Sequence, residues 1–437
     1  MVPPHVSNRQ QEEKDRMPHD TPLIATIVIG LSLAFVLGLV AHRLKLPMIA
    51  GYLLAGIIIG PFTPGYVADQ DLATELAELG VILLMFGVGL HFSLKDLLSV
   101  RRIAIPGALG QIAVATLAGL ALALLMGWGI GAGLIFGLSL SVASTVVLLR
   151  ALQDRNLVTS DRGRIAVGWL IVEDVVMVLA LVLIPPLAGL LGGTAQPVTE
   201  GAAQEVVRLG FAPVTATLAV TLAKFAAFVA LMLIVGRKLI PWVLHYVAHT
   251  GSRELFRLAV LAIALGVAYG SSQVFGVSFA LGAFFAGMVM AGSTLSQQAM
   301  RETMPLRDAF AVLFFVSVGM LFTPSIVLTE PLALIATVLI IFVVKSLAAY
   351  GIVRAFGHDK ETGLTIATSL AQIGEFSFIL IVMGTKLAIV PPEAKDLVVA
   401  GAMLSILANP VMFAILDRWS ARHQPAAQDP EPAREAA

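Results

Sequence analysis

Long apolar segments, separated by short polar ones, occupy most of the chain of 437 residues. Because a helix needs about 20 mostly apolar residues to cross the hydrocarbon core of a bilayer, this pattern predicts thirteen membrane spans. The predicted spans are 22–41, 48–61, 74–92, 103–126, 129–152, 165–191, 212–236, 255–274, 276–293, 308–323, 332–353, 362–385 and 396–416. The second and the tenth are short for a full crossing, which favours broken or buried helices there.

The positions of Lys and Arg between the spans predict the orientation of the chain. Of the 28 basic residues, 20 lie after odd-numbered spans. Cytoplasmic loops of membrane proteins carry the excess of positive charge, so we predict an N-terminus outside and a C-terminus in the cytoplasm of a bacterial inner membrane. The polar tails 1–21 and 421–437 are predicted to be disordered, and Met17 is an alternative start.

Composition agrees with a membrane protein and excludes several other classes. Hydrophobic residues make up 58% of the chain and charged residues 13%, about half the charged share of a soluble protein. Balanced charge argues against a nucleic-acid binder, and the lack of cysteine excludes a disulfide framework and a thiolate metal site. The sequence contains no P-loop and no HExxH motif, so we predict no enzyme and no cofactor.

Two short motifs recur in the second half of the chain. GYLLAG at 51–56 matches GAFFAG at 282–287, 231 positions later, and VGLHF at 88–92 matches VGMLF at 318–322, 230 positions later. Two matches at nearly the same offset indicate an internal duplication. The alternative is chance similarity between glycine-rich membrane helices.

The offset pairs the second span with the ninth, seven helices later, and an odd shift reverses the orientation of the second copy. Within a membrane domain of residues 22–420, the predicted repeats are 22–191 and 255–416, joined by the helix 212–236. Inverted repeats of this kind are typical of secondary transporters, whose sites lie near the midplane where the repeats meet.

The fifth span of each repeat contains the most polar stretch of that repeat, at 139–145 and 368–377. Hydroxyl and amide groups can satisfy the backbone groups that an unwound helix frees, so both spans are candidate broken helices. The alternative for the first is Ser and Thr packing between close helices. The candidate site residues in these stretches are Ser144, Thr145, Gln372, Gly374 and Glu375.

Five ionisable residues lie inside predicted spans: Glu173, Asp174, Lys224, Lys345 and Glu375. An ionisable group at membrane depth is costly and indicates function by default. A carboxylate that is either protonated or bound to a cation has the chemistry that ion exchange needs. Lys345 is expected to pair with Glu173 or Asp174, either as part of transport or as a static ion pair, and Lys224 to reach toward lipid headgroups.

Several motifs resemble the cation:proton antiporter-2 family, in particular its Kef-like bacterial branch. The resemblance covers about 22–420. The matching motifs are ELGVILLMF at 78–86, STVVLLR at 144–150, the acidic pair at 173–174, FFVSVGM at 314–320, Lys345 and QIGEF at 372–376.

The resemblance implies a thirteen-helix sodium/proton antiporter fold with two crossing broken helices, a homodimer, and a core of spans 4–6 and 11–13 that moves like an elevator. It implies that Asp174 is the alternating ligand of proton and cation. Glu173 departs from the glutathione-gated members, which have Gln there, so neither their stoichiometry nor their potassium preference carries over. The chain ends soon after the last predicted span, where Kef-like proteins usually continue into a nucleotide-binding domain, so regulation does not carry over either.

We therefore predict a transporter that exchanges a monovalent cation, K⁺ or Na⁺, for protons. Asp174 is its shared ligand, with Glu173, Ser144 and Thr145 around the cation, and Lys345 with Glu173 forms a core ion pair when the site is empty. A cation channel and a sodium-coupled symporter for an organic acid on a related fold are the alternatives.

Overall fold

Helices form every regular element in the part of the chain that the structure, a computed structural model, describes: residues 22–44, 46–64, 67–91, 94–158, 160–194 and 213–423. In chain order they are α1 Pro22–Arg43, α2 Met48–Ile58, α3 Gln70–His91, α4 Leu94–Leu125, α5 Ile130–Ser141, α6 Thr145–Gln153, α7 Asp161–Leu187, α8 Pro213–Leu231, α9 Arg237–Ala248, α10 Arg253–Phe275, α11 Phe279–Ala291, α12 Ser296–Met320, α13 Ile326–Thr329, α14 Pro331–Leu339, α15 Lys345–Ala355, α16 Lys360–Leu370, α17 Glu375–Lys386 and α18 Pro392–His423. The π-helical turns Met232–Gly236 and Ile340–Val344 join α8 to α9 and α14 to α15.

Nine helical segments of the described residues are long and apolar enough to cross a membrane, and the pair α16–α17, bent by 43°, makes a tenth. The apolar helices α2, α5 and α11 have 11 to 13 residues and are too short to cross alone. In hydrocarbon, a helix satisfies its own backbone groups, which is why such apolar segments fold this way. The prediction of an all-helical protein with many spans is confirmed, while the number thirteen stays a prediction.

The predicted length of the tenth span is wrong. Its helix, α12, has 25 residues and begins at Ser296, whereas the hydropathy pattern placed the start at 308. The first turns of α12 contain Gln, Arg and Glu, which are polar but are good helix formers. A reading based on apolar runs therefore assigned them to a loop.

The ends of the chain also differ from the prediction. The last helix continues to His423, past the predicted domain boundary at 420. Residues 1–21 and 424–437, which were predicted to be disordered, lie outside the described residues.

Glycines bring the backbones of four helices close together. A Cβ on Gly56 of α2 would lie 2.8 Å from Cα of Gly319 on α12, and a Cβ on Gly287 of α11 would lie 3.0 Å from Cα of Gly89 on α3. Small residues permit close helix packing in membranes, where van der Waals contact is the main attraction. These contacts assemble α2, α3, α11 and α12 into one tightly packed group.

Both predicted helix breaks are present. Between α5 and α6, Val142 is extended, with φ −100° and ψ 131°. Between α16 and α17, Gly374 is extended, with φ −134° and ψ −157°. Each break frees backbone N–H and C=O groups that would otherwise be bonded within a helix, and those groups need partners from elsewhere in the fold.

The two breaks touch each other. A Cβ on Gly374 would lie 2.4 Å from Cα of Ser144 and 2.9 Å from its backbone nitrogen. Glycine at this position therefore allows the second break to lie directly against the first.

Candidate functional site

The first feature of the site is a reciprocal pair of hydrogen bonds between the two breaks. The backbone N–H of Ser144 donates to Oε1 of Gln372 over 2.8 Å, and Nε2 of Gln372 donates to the carbonyl oxygen of Ser144 over 3.1 Å. The Gln372 amide thus satisfies both backbone groups of one residue in the opposite break, much as a neighbouring strand would. Both side chains are buried.

The acidic pair lies on α7 beside the first break. Oε2 of Glu173 accepts a hydrogen bond from the backbone N–H of Ala143 over 2.8 Å, and Oδ2 of Asp174 accepts one from the hydroxyl of Thr145 over 3.3 Å. Their side chains are 0% and 3% exposed. The other oxygens, Oε1 of Glu173 and Oδ1 of Asp174, have no hydrogen-bond partner among the described residues. Each carboxylate therefore keeps one free oxygen at the break.

Glu375 adds a third carboxylate from the second break. It is the first residue of α17 and is 1% exposed. Its Oε2 accepts a hydrogen bond from the Ser144 hydroxyl over 3.1 Å, while Oε1 has no partner within the described ranges. The start of a helix favours negative charge, which offsets part of the cost of burying this group.

Lys345 is a buried base at the site. It begins α15 directly after the π-helical turn 340–344, a feature often found at functional sites. Its Nζ donates to the carbonyl oxygen of Gln372 over 2.9 Å. Lys345 and Glu173 interact electrostatically, but in the part of the chain described here their charged atoms form no ion pair at 4.0 Å or less. The core ion pair predicted from the sequence stays a prediction.

All eight site residues predicted from the sequence lie in this one cluster of contacts. They are Ser144, Thr145, Glu173, Asp174, Lys345, Gln372, Gly374 and Glu375. The cluster holds three buried carboxylates and one lysine, so it can take up protons or small cations at free carboxylate oxygens. Within the described ranges, no group of three or more His, Cys, Asp or Glu residues is arranged to hold a metal ion.

Two polar residues of α18 support the second break and were not predicted. The hydroxyl of Ser405 accepts a hydrogen bond from the backbone N–H of Ile373 over 3.3 Å, and Nδ2 of Asn409 donates to the carbonyl oxygen of Thr368 over 3.1 Å. Ser405 and Asn409 lie four residues apart on one face of the helix. That spacing inside an apolar segment was the available signal, but it does not say which backbone groups they reach.

Comparisons with known proteins define the class. Residues 30–419 match the transmembrane family of sodium/hydrogen exchangers. YbaL of Escherichia coli (strain K12), a candidate cation/proton antiporter, is 59% identical over 406 residues, which are 93% of this chain and 70% of that protein. K(+) efflux antiporter 4 of Arabidopsis thaliana is 33% identical over 399 residues, which are 91% of this chain and 64% of that protein.

A solved structure shares the fold. The sodium proton antiporter MjNhaP1 from Methanocaldococcus jannaschii aligns with a TM-score of 0.60 at 16% identity, over 91% of this chain and 98% of that one. The class is therefore that of helical membrane transporters rather than enzymes. The chain belongs to the sodium/hydrogen exchanger family, and the resemblance to cation:proton antiporters predicted from its motifs is confirmed.

Proposed function

We propose that the protein exchanges a monovalent cation, K⁺ or Na⁺, for protons by alternating access, with Asp174 as the ligand that cation and proton share. The observation that carries the proposal is the free Oδ1 of Asp174, which is buried on α7 beside the first helix break. A buried carboxylate with an open oxygen must bind a proton or a cation, because an isolated charge is costly there. Competition between the two ions for one group couples their movements.

The residues around Asp174 suit a small cation. The hydroxyl of Thr145 is bonded to Asp174, and the Ser144 hydroxyl and freed carbonyl groups of the break supply neutral oxygen ligands. Glu173 and Lys345 would attract each other in the empty site and hold the core together. Apparent cation affinity should then fall as the pH drops, because protons occupy the shared carboxylate.

Two inverted repeats within thirteen spans are part of the proposal. The contact between Gly56 and Gly319 has a counterpart between Gly287 and Gly89, shifted by the repeat offset. Glu375 lies 231 positions after Ser144, and these two residues bond directly, as residues near a pseudo-two-fold axis can. A homodimer in the inner membrane, an elevator movement of the core, and an N-terminus outside complete the proposal.

The transported ion is to be determined by experiment, because the relatives are named for different ions. The bacterial relative is named for cations, the plant relative for K⁺, and the structural neighbour for sodium. The purified protein would be placed in liposomes with an internal pH indicator, and K⁺ and Na⁺ would be added separately at several pH values. The measurement is repeated with the membrane potential clamped, which reports electrogenicity.

The same experiment separates the alternatives. An antiporter moves protons whenever the cation moves, and Asp174→Asn should lose this exchange. Asp154→Asn is the matched control, because Asp154 is exposed and is not one of the site residues at the breaks. Cation flux that leaves the internal pH unchanged would favour a channel, and Na⁺ uptake that requires an organic acid would favour a symporter. Full exchange by Asp174→Asn would contradict the assignment of the ligand.

A further inference from the structure

A buried glutamine outside the predicted site links the first break to the helix that carries the acids. Gln111 lies on α4 and is 0% exposed. Its Nε2 donates to the carbonyl oxygen of Ser141 over 2.8 Å, and its Oε1 accepts a hydrogen bond from Nε1 of Trp169 over 3.3 Å. Ser141 is the last residue of α5, and Trp169 lies on α7. One side chain therefore connects three helices.

The hydrogen bond to Ser141 replaces one that the break removes. The last carbonyl groups of a helix have no partner within the helix, and the chain leaves α5 in an extended conformation at Val142. Gln111 supplies a donor at this point, three residues before Ser144 and four before Thr145. It thus holds the end of α5 in place just ahead of the two hydroxyl residues.

The hydrogen bond to Trp169 is accompanied by close packing of the Trp169 ring against α4. Gly107 lies one turn before Gln111 on α4, and a Cβ there would lie 2.3 Å from Cζ3 of the Trp169 ring. Helix α4 therefore offers an open space for the ring and, four residues later on the same face, an acceptor for its N–H. The ring is fully buried. The space at Gly107 and the hydrogen bond to Gln111 together determine its position against α4.

Trp169 in turn lies one helical turn before Glu173, and residues four apart share a face of the helix. We propose that Gln111 is a positioning residue: it holds the acid-bearing helix α7 and the first break at the separation that cation binding needs. The carboxylates contact the break themselves, through Ala143 and Thr145. Gln111 bridges the same two elements from α4 without taking any of the free carboxylate oxygens.

This inference rests on the proposed function and makes it more specific. Groups that orient the ligands of an ion, without touching it, typically change affinity by about 10-fold to 100-fold when they are removed. A glutamine that only satisfies buried backbone groups would instead change the amount of folded protein. A positioning role therefore predicts a change in the KM for the cation with little change in Vmax per folded molecule. A purely structural role predicts a change in neither.

The experiment compares three variants in liposomes. Gln111→Met keeps the length of the side chain but removes both hydrogen bonds. Trp169→Phe removes the indole N–H, which donates to Gln111 and also interacts with Glu173. The control is Thr116→Val on the same helix, because the Thr116 hydroxyl has no hydrogen-bond partner in the described part of the chain. Cation KM and Vmax are measured at saturating pH gradient, and folded protein is quantified by monodisperse elution in detergent.

We expect Gln111→Met to raise the cation KM by about 10-fold, with Vmax per folded molecule within about two-fold of the unchanged protein. Trp169→Phe should raise KM less, and it should add little in the Gln111→Met background, because both changes break the same hydrogen bond. Thr116→Val should leave KM unchanged.

An unchanged KM in folded Gln111→Met and Trp169→Phe would overturn the positioning role, as would an equal rise in Thr116→Val. If Gln111→Met does not yield folded protein, Gln111→Leu, which also removes both hydrogen bonds, replaces it beside Trp169→Phe. Failure of the unchanged protein to exchange any cation would contradict the proposed function itself. Exchange by that protein with unchanged KM in the variants would contradict only the role of Gln111.

Discussion

The two helix breaks have similar backbones but are supported by different chemistry. At the first break, the neighbouring helix α7 presents the carboxylates Glu173 and Asp174. At the second, the neighbouring helix α18 presents Ser405 and Asn409, which are neutral. Ser405 lies 231 positions after Asp174, the same offset that relates the repeated motifs. Under the proposed repeat, equivalent places in the fold hold a group that can change its charge and one that cannot.

This difference indicates a division of labour. A hydroxyl and an amide can satisfy a break permanently, because they need no counter-ion. A carboxylate does so only together with a proton or a cation. We therefore expect ion exchange at the first break and structural support at the second, with Glu375 reaching from the second break to the first through Ser144.

The largest expected effect comes from replacing a carboxylate at the first break by a neutral side chain. Asp174→Asn should abolish cation-dependent proton movement in liposomes, because an amide cannot alternate between proton and cation. The equivalent change at the second break, Ser405→Ala, removes one hydrogen bond to Ile373 and should retain most of the exchange. Equal loss in both variants would remove the distinction between the breaks.

The next effect concerns the contact between the breaks. Gly374→Ala would place a Cβ 2.4 Å from Cα of Ser144, so the breaks must separate, at a cost of about 1–3 kcal/mol by analogy with overpacked cores. We expect a lower midpoint of thermal unfolding and a large loss of exchange. Gly351→Ala is the control, because open space surrounds a Cβ at that position. An unaltered midpoint in Gly374→Ala would contradict the close contact.

A smaller effect is expected from the amide that joins the breaks. Gln372→Met leaves the backbone N–H of Ser144 buried without a partner, which costs about 1–3 kcal/mol. It also removes one of the two donors to the Ser144 carbonyl, which keeps its hydrogen bond from the backbone N–H of Leu148. Asn409→Leu frees only the carbonyl of Thr368, which also accepts from Ala371. The midpoint of thermal unfolding should therefore fall more in Gln372→Met than in Asn409→Leu. The reverse order would show that the second break is the weaker part of the fold.

The smallest effect lies at the start of the second broken span, where Asp359 caps α16. Hydrogen bonds from the Thr362 hydroxyl, and from the backbone N–H groups of Thr362 and Glu361, hold the pKa of Asp359 below its usual value. Because this pKa is lowered by folding, its stabilising contribution is present above the unfolded value of 3.8 and is lost as the pH falls through the folded value.

Asp359→Ala should accordingly lower stability at neutral pH by about 0.5–1 kcal/mol, the lower part of the range for helix caps, because the site is exposed and screened. The difference in stability between the unchanged protein and Asp359→Ala should shrink when unfolding is measured at a pH below the folded pKa of Asp359. A difference that grows in acid would have the wrong sign for this cap.

Much of the site followed from the sequence because charge in an apolar segment is conspicuous. Glu173, Asp174, Lys345 and Glu375 were identified by their cost at membrane depth. Ser405, Asn409 and the role of Gln111 were harder to recognise, because neutral polar residues are common between packed helices. The length of α12 was missed for a related reason: its first turns are polar and lie outside any apolar run.

The sequence by itself determined the class of the protein, its apolar helices, the two polar interruptions and the buried charges, since each depends on composition and spacing along one segment. Only the tertiary structure decided that Gln372 bonds both backbone groups of Ser144, that Nζ of Lys345 donates to a carbonyl oxygen, and that Gln111 joins three helices. Those contacts join residues distant along the chain, and the direction of a hydrogen bond depends on how closely the backbones approach. Packing at Gly374 and Gly107 sets that approach.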